Sequence, residues 1–350
     1  MHRGRILSLI VLGWILTLLT GCSTETPSPS FRPTPTPSPT PTVPHLIFAQ
    51  TPVMSPLPQP SLTPTPLPTP ASPRRIDKTL NILVLGSDRR NSQHKIWRTD
   101  TIMLVMVDKE AQEVAVISIP RDTYIYIPGY GYQRINVVDF FGESGVVKIK
   151  GGGPALLKKV FWSNFRVRVD HYVRIDLPGM AKIVDILGGV DVEVTCPHTV
   201  HWGDQVYHFK RGKQHLTGEE LLIYMRARKE SNDIDRARRQ QRALMAMRDR
   251  AKELNIIPRL PAILAALHNS LQTDLSLQDI LWLARMGMDI PPERVHGKVI
   301  SYPLVRGTVT PRGEAVLVPD LPAIRQTIEH AFDMPALLKA TEEGIACEEK

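Results

Sequence analysis

Seventeen of the 31 prolines in this 350-residue chain fall between Cys22 and Arg74. Each proline ring fixes φ and removes an amide donor, so neither helix nor sheet can form there. Runs such as "PTPTPSPTPTVP" and "PSLTPTPLPTPASP" are expected to be extended and polyproline-II-like. At about 3.1 Å per residue, roughly 50 such residues reach up to about 150 Å. Folding is thereby confined to the remaining chain of roughly 275 residues, enough for one well-buried domain.

The residues before the proline-rich stretch read as an export signal. His2, Arg3 and Arg5 precede an apolar run from Ile6 to Leu19, which is 14 residues long. That suits a signal-peptide core and is short for a membrane span. The run closes on Leu19-Thr20-Gly21-Cys22, similar to a bacterial lipobox in which the cysteine is lipidated. An uncleaved anchor with an incidental cysteine is the alternative, and it too exports and tethers the chain. We divide the chain into a signal peptide (1–21), a lipidated cysteine with its linker (22–77), a folded catalytic domain (78–335) and a disordered tail (336–350). No 18-residue apolar run occurs after the leader, so the domain itself is not expected to span a membrane. Three cysteines exclude a disulfide-rich scaffold. Whether Cys196 and Cys347 pair is not legible.

The net charge is +8, and removal of the leader leaves 41 basic against 35 acidic residues. That balance favours anionic partners. Apolar β-rich runs cover Asn81–Gly86, Thr101–Val107 and Glu113–Ile119, with further strands near 172–177, 190–195, 297–302 and 314–318. Helices are expected from Gly151-Gly-Gly-Pro154 to Phe165, from Pro178 to Gly188, from the Thr217 cap with Glu220 three residues on, over 234–254, 259–270 and 276–287, and over 321–332. Strands and helices interleave. The expected fold class is therefore α/β, a central, mainly mixed sheet with helices on both faces.

Charged residues crowd the strand ends. Asp88 closes the first strand, Arg98 and Asp100 open the second, Arg121 and Asp122 close the third, and Arg134 and Asn136 come next. Ligands favour the crevice at strand ends of open α/β sheets. A second concentration spans 226–250, with nine basic and four acidic residues. On a helix Arg236, Arg239 and Gln240 share one face, and arginine forks suit bidentate phosphate contacts. A solvated helix face is the plain alternative. A DNA-tracking surface is another, but export and the interleaved Asp233 and Asp235 argue against nucleic acid as partner. Asp88 and Asp100 offer the hard oxygen ligands that Mg²⁺ prefers. There is no Walker A, kinase, H-E-x-x-H or G-x-S-x-G motif, and His198 and His201 are expected in a loop. Phosphoryl chemistry without a nucleotide is therefore favoured over hydrolase chemistry.

The blocks "NILVLGSDRR", "RTDTIMLVMVD", "VISIPRDTYIYIPG", "RINVVDFFG", "VDILGGVDVEV", "LTGEELLIYMRARK" and "DIDRARRQQ", in this order, resemble the LytR-CpsA-Psr family of cell-wall phosphotransferases. The looser "LQTDLSLQDILWLA" extends the likeness. The resemblance implies Mg²⁺-dependent transfer of a glycopolymer phosphate from an undecaprenyl-pyrophosphate-linked donor to a hydroxyl of peptidoglycan or another wall glycan, outside the cytoplasm at the membrane. It implies Asp88 and Asp100 as metal ligands, with Arg98, Arg121, Arg226, Arg228, Arg236, Arg239 and Gln240 around the pyrophosphate. Asp122 and Asp233 become candidates for the general base. A lipid-pyrophosphate hydrolase or a non-catalytic binder of anionic wall polymer uses the same residues. Two features depart from the family pattern: a lipobox and tether in place of a transmembrane helix, and "VVDFFG" where small residues are usual. Asp139 and the two phenylalanines would change a loop beside the active site.

Overall fold

The computed structural model describes residues 75–89, 96–227, 233–342 and 347. The leader, Cys22 and the proline-rich segment lie outside the described residues. Strands β1 (Leu80–Ser87), β2 (Thr99–Asp108) and β3 (Glu113–Ser118) form an antiparallel meander. A hairpin of β4 (Tyr124–Ile127) and β5 (Gly131–Arg134) comes next, then helices α1 (Val138–Glu143) and α2 (Gly152–Phe165). β6 (His171–Asp176) runs parallel to β1 and leads into α3 (Leu177–Ile186). After it stand β7 (Val190–Val194), the hairpin β8 (His198–Trp202) and β9 (Gln205–Phe209), and β10 (Gly212–Leu216), with β10 pairing back on β7. Helices α4 (Gly218–Arg226), α5 (Asp233–Glu253) and α6 (Leu260–Ala266) precede β11 (Leu271–Thr273) and α7 (Leu277–Asp289). The chain continues through β12 (Val295–Val299), the hairpin β13 (Val305–Val309) and β14 (Ala315–Pro319), α8 (Leu321–Glu329) and α9 (Leu337–Glu342).

The central sheet is six-stranded and mixed, in the order β11-β6-β1-β2-β3-β12. Strand alternation assigns its two faces. Leu83, Leu85, Ile102, Leu104, Met106, Ala115 and Ile117 point into one core, against α2 (Leu157, Phe161) and α8 (Ile324, Ile328). Met103, Val107 and Val116 point the other way, against Met245 of α5, Met286 of α7 and Leu337 of α9. A separate core forms where α3, α4 and α5 meet β7 and β10. The expected architecture is thus the observed one. Among the described residues no helix is long and apolar enough to cross a membrane.

Three expectations are corrected. Ile76 is buried in the first core and Arg75 bridges Asp108 and Glu113, so the ordered fold includes residues placed in the linker that was to end at 77. The tail expected to be disordered from 336 contains α9, because Leu337 is fully buried against the sheet and the Thr341 carbonyl accepts from Arg242. His198 and His201 lie on β8 rather than in a loop, since the polar run around them is held by pairing with β9.

Candidate active site

β1 and β3 run up and β2 runs down, so the end of β1, the start of β2 and the end of β3 share one edge of the sheet. That places Asp88, Arg98, Asp100, Arg121 and Asp122 together at that edge. The Asp88 carboxylate accepts the Arg98 backbone N–H at 2.6 Å, which ties the two strand ends. Arg98 joins the site through this backbone contact while its side chain is exposed.

Arg121 is the hub. Its Nη1 donates to Asp100 Oδ1 at 2.9 Å, and its Nε lies 3.5 Å from Asp122 Oδ2 and 3.4 Å from Asp233 Oδ1. Burial works to lower its pKa, but Asp100, Asp122 and Asp233 outweigh it and hold the guanidinium above its ordinary value. Arg134, at the end of β5, lies 3.5 Å from Asp122 Oδ1. Asp233 opens α5, where a carboxylate complements the helix dipole. Arg236, one turn on, pairs with Asp233 at 2.6 Å and donates to the Asp100 carbonyl at 3.3 Å. Burial raises the Asp233 pKa; Arg236 and Arg121 oppose this, whereas Asp122 and Asp100 reinforce it. Its Oδ2 is buried with no hydrogen-bond partner among the described residues.

The α5 stripe is not a solvated face. Arg236, Arg239 and Gln240 are 4, 6 and 9% exposed. Arg239 donates to the Ala227 carbonyl and sits 6.0 Å over the Tyr224 ring. Desolvation lowers its pKa to about 10, opposed by Tyr224 and reinforced by Arg242. Even so, it is charged at neutral pH.

These arginines line a cavity of about 760 Å³. Its apolar wall comes from Val84, Met103 and Ile175 of the sheet, Met180 of α3, Leu222 and Met225 of α4, and Leu244 and Met247 of α5. Asp100, Arg226, Arg236, Arg238, Arg239 and Gln240 line it as well, and His198 to Trp202 form part of its wall. Arg226 stacks over Trp202 at 5.0 Å. Cys196 and Cys347 also line the cavity and are joined by a disulfide, with Cα atoms 5.4 Å apart. An apolar cavity edged by buried guanidinia can hold a molecule with a long apolar part and a phosphate-rich head.

Of the residues singled out in the sequence, the structure gathers Asp100, Arg121, Asp122, Asp233 and Arg236 into one contact network. It places Arg226, Arg239 and Gln240 on the adjoining cavity. Arg228 lies outside the described residues. Among the described residues no three His, Cys, Asp or Glu side chains could cage a metal by themselves. Asp88 and Asp100 nevertheless stand at neighbouring strand ends. Mg²⁺ is commonly held by one or two carboxylates plus substrate phosphate, so this donor set fits the ion. Sequence reasoning missed the β8 wall, Met180 and Trp202, because a half-exposed hairpin strand and an apolar helix face carry no chemical signature.

Asp139 is not in a loop beside the site. It lies on α1, fully buried, where Arg174 Nη1 approaches its two oxygens at 2.7 and 3.0 Å and the Trp97 indole donates at 3.2 Å. Trp97 also packs edge-on against Phe140 at 5.1 Å. The departure from the family pattern thus braces the segment immediately before Arg98.

A model of the LytR_cpsA_psr family matches residues 63–331. The chain is 32% identical over 230 residues to the polyisoprenyl-teichoic acid–peptidoglycan teichoic acid transferase TagU of Oceanobacillus iheyensis, covering 63% of this chain and 69% of TagU. It is 31% identical to the regulatory protein MsrR of Staphylococcus aureus, and the match spans 58% of MsrR's length. Among solved structures, TagV of B. subtilis superposes with a TM-score of 0.60 at 24% identity, covering 73% of this chain and 98% of TagV. The LytR-CPS2A-psr family protein YwtF (TagT) with bound octaprenyl pyrophosphate lipid gives 0.53 at 21%, covering 75% and 94%. At these identities the two structures establish a shared fold.

Proposed function

This chain belongs to the LytR_cpsA_psr family, and we propose that it transfers a glycopolymer phosphate from a polyprenyl-pyrophosphate-linked donor to a hydroxyl of peptidoglycan or another wall glycan. The observation that carries this reading is the apolar cavity edged by the buried Arg236, Arg239 and Gln240 and adjoining the Arg121 network. The names of TagU and of lipid-bound YwtF support the same donor and acceptor classes.

In this reading the prenyl tail lies between the sheet wall and Leu222, Leu244 and Met247. The pyrophosphate sits among Arg226, Arg236, Arg239, Gln240 and Arg121, with Arg98 at the rim. The acceptor oxygen attacks the phosphorus that carries the glycopolymer, and the bond from that phosphorus to the bridging oxygen breaks. Prenyl phosphate leaves, and the acceptor proton passes to a carboxylate. Asp233 is the better placed of the two candidates. Its Oδ2 is buried with no hydrogen-bond partner among the described residues, and burial raises its pKa, which strengthens it as a proton acceptor. Asp122, between Arg121 and Arg134, then holds the hub arginine in position. The buried guanidinia stabilise charge on the transferring group without reorganising. Asp88 and Asp100 would hold Mg²⁺, which when bound neutralises charge on the pyrophosphate oxygens.

We further propose export by residues 1–21, anchoring through lipidated Cys22, and presentation of the domain outside the cytoplasm on the proline-rich tether. The test is to incubate the full chain with a prenyl-pyrophosphate glycan and Mg²⁺, with and without peptidoglycan oligomer, beside an Arg121→Ala control. Phosphodiester-linked product formed only with acceptor, and lost in the control, is the expected result. Prenyl phosphate released without acceptor would make the protein a hydrolase. Binding without turnover would make it a tethered recognition module.

A further inference from the structure

The hairpin after Asp122 carries a row of tyrosines that the proposed chemistry does not use. Its outward face presents Tyr124, Tyr126 and Tyr132, because Ile125 and Ile127 alternate into the core. Tyr126 stands directly opposite Tyr132, and Tyr124 opposite Arg134. Directly opposed residues of an antiparallel pair share a face. The Tyr124 and Tyr132 rings stack at 5.8 Å, and Tyr126 meets Tyr132 edge-on at 5.6 Å. Tyr126 and Tyr132 are 43 and 62% exposed, so solvent wets an aromatic surface of some size.

The surface is rigid. Buried Asn164 of α2 clamps the Tyr126 backbone through both its N–H and its carbonyl, at 3.1 and 2.8 Å. At the turn, Tyr130 packs on Phe141 of α1 at 4.5 Å. The row also leads to the reaction centre. Tyr126 is four residues on from Asp122, so at about 3.4 Å per residue the Tyr126–Tyr132 pair lies at most roughly 14 Å from it. Arg134 closes that gap through its contact with Asp122, and its buried Nε has no hydrogen-bond partner among the described residues.

Arg121 separates two sides. Asp100 lines the cavity, whereas Asp122, Arg134 and the hairpin do not. Arg121 touches both carboxylates. A donor seated in the cavity would therefore present its phosphate toward the hairpin.

We propose that this tyrosine face is the docking platform for the acceptor glycan, an inference that rests on the transfer reading above. Pyranose rings expose flat patches of C–H bonds that lie against aromatic faces, while phenol hydroxyls meet sugar hydroxyls. Between Tyr124 and Arg134 the hairpin has no charge other than Arg134 itself. An anionic lipid surface calls for clustered lysine and arginine, so a sugar fits better than a membrane.

The test uses the full chain, a Tyr126→Ala/Tyr132→Ala variant and a Tyr126→Phe/Tyr132→Phe variant. Each is titrated with a β-1,4-linked N-acetylglucosamine tetramer and, separately, with vesicles of phosphatidylglycerol and phosphatidylethanolamine. The same proteins are assayed for transfer. The alanine variant should bind the tetramer about tenfold more weakly and raise the acceptor KM by a similar factor, with donor KM and kcat unchanged. The phenylalanine variant should stay within about threefold of the parent. No tetramer binding by the parent, equal binding by the alanine variant, or equal losses in both variants would overturn the platform. So would a loss seen with vesicles and not with sugar. Tyrosine-dependent sugar binding in a protein that transfers nothing would sustain the platform and sink the transfer reading alone.

Discussion

Replacing Asp139 separates two accounts of a buried ion pair. Asp139 is fully buried, and Arg174, 8% exposed, is its main partner. Arg174 also reaches Glu143 at 3.1 Å and Gln272. If the pair were a strong net stabiliser, the Asp139 pKa would be depressed. Instead burial raises it, and Arg174 and the Trp97 indole offset that only in part. A carboxyl whose folded pKa is raised contributes stability that is fully present below the unfolded value, near 3.9, and is lost as pH rises through the folded value. Asn cannot titrate and lacks this loss. Asp139→Asn should therefore cost about 2 kcal/mol near pH 4.5, from imperfect acceptance of Arg174, and less at pH 8. Asp139→Ala removes both acceptor atoms and should cost about 3–5 kcal/mol, because Arg174 is left underpaired. Urea unfolding at the two pH values measures all three proteins. A gap between parent and Asp139→Asn that widens from pH 4.5 to pH 8 would refute the reasoning, since Coulombic attraction would then outweigh burial. Pairing Asp139→Asn with Glu143→Gln should be worse than additive, because Arg174 then loses both carboxylates.

Arg121→Lys keeps the charge but not the fork that meets three carboxylates, so kcat should fall about 10²- to 10³-fold with little change in melting temperature. Met180→Trp should fill part of the cavity and weaken donor binding about tenfold in a titration, with acceptor KM unchanged. Leu337→Ala should cost about 2–5 kcal/mol by urea unfolding; a cost near zero would mean that α9 does not pack on the sheet.

The central strands were legible because their side chains alternate between two apolar faces, as along Ile102 to Val107. Thr217 and Glu220 announced α4, and the structure contains the full capping box. The polar network was legible as charges at strand ends, although nothing local said that Asp233 would cross from α5 to meet Arg121. The β8–β9 hairpin and α9 were not legible. Polar, partly exposed strands lack a strong period-two signal, and a six-residue helix depends on one anchor, Leu337, whose burial only tertiary packing decides. Asp139 misled for the opposite reason. A carboxylate beside two phenylalanines reads as a surface loop until its partner, 35 positions away, is known.

The bond between Cys196 and Cys347 has a practical corollary. It joins residues 151 positions apart at the rim of the cavity. Such bonds persist in oxidising compartments and are undone by cytosolic thiols. Protein recovered from the cytoplasm of an expression host would therefore carry two free thiols where protein folded in an oxidising compartment has a stitch. Its sheet and arginines would be intact, but one wall of the cavity would be held by packing alone. Preparations from the two compartments are chemically different molecules, and their lipid binding should be compared only after the thiols have been counted.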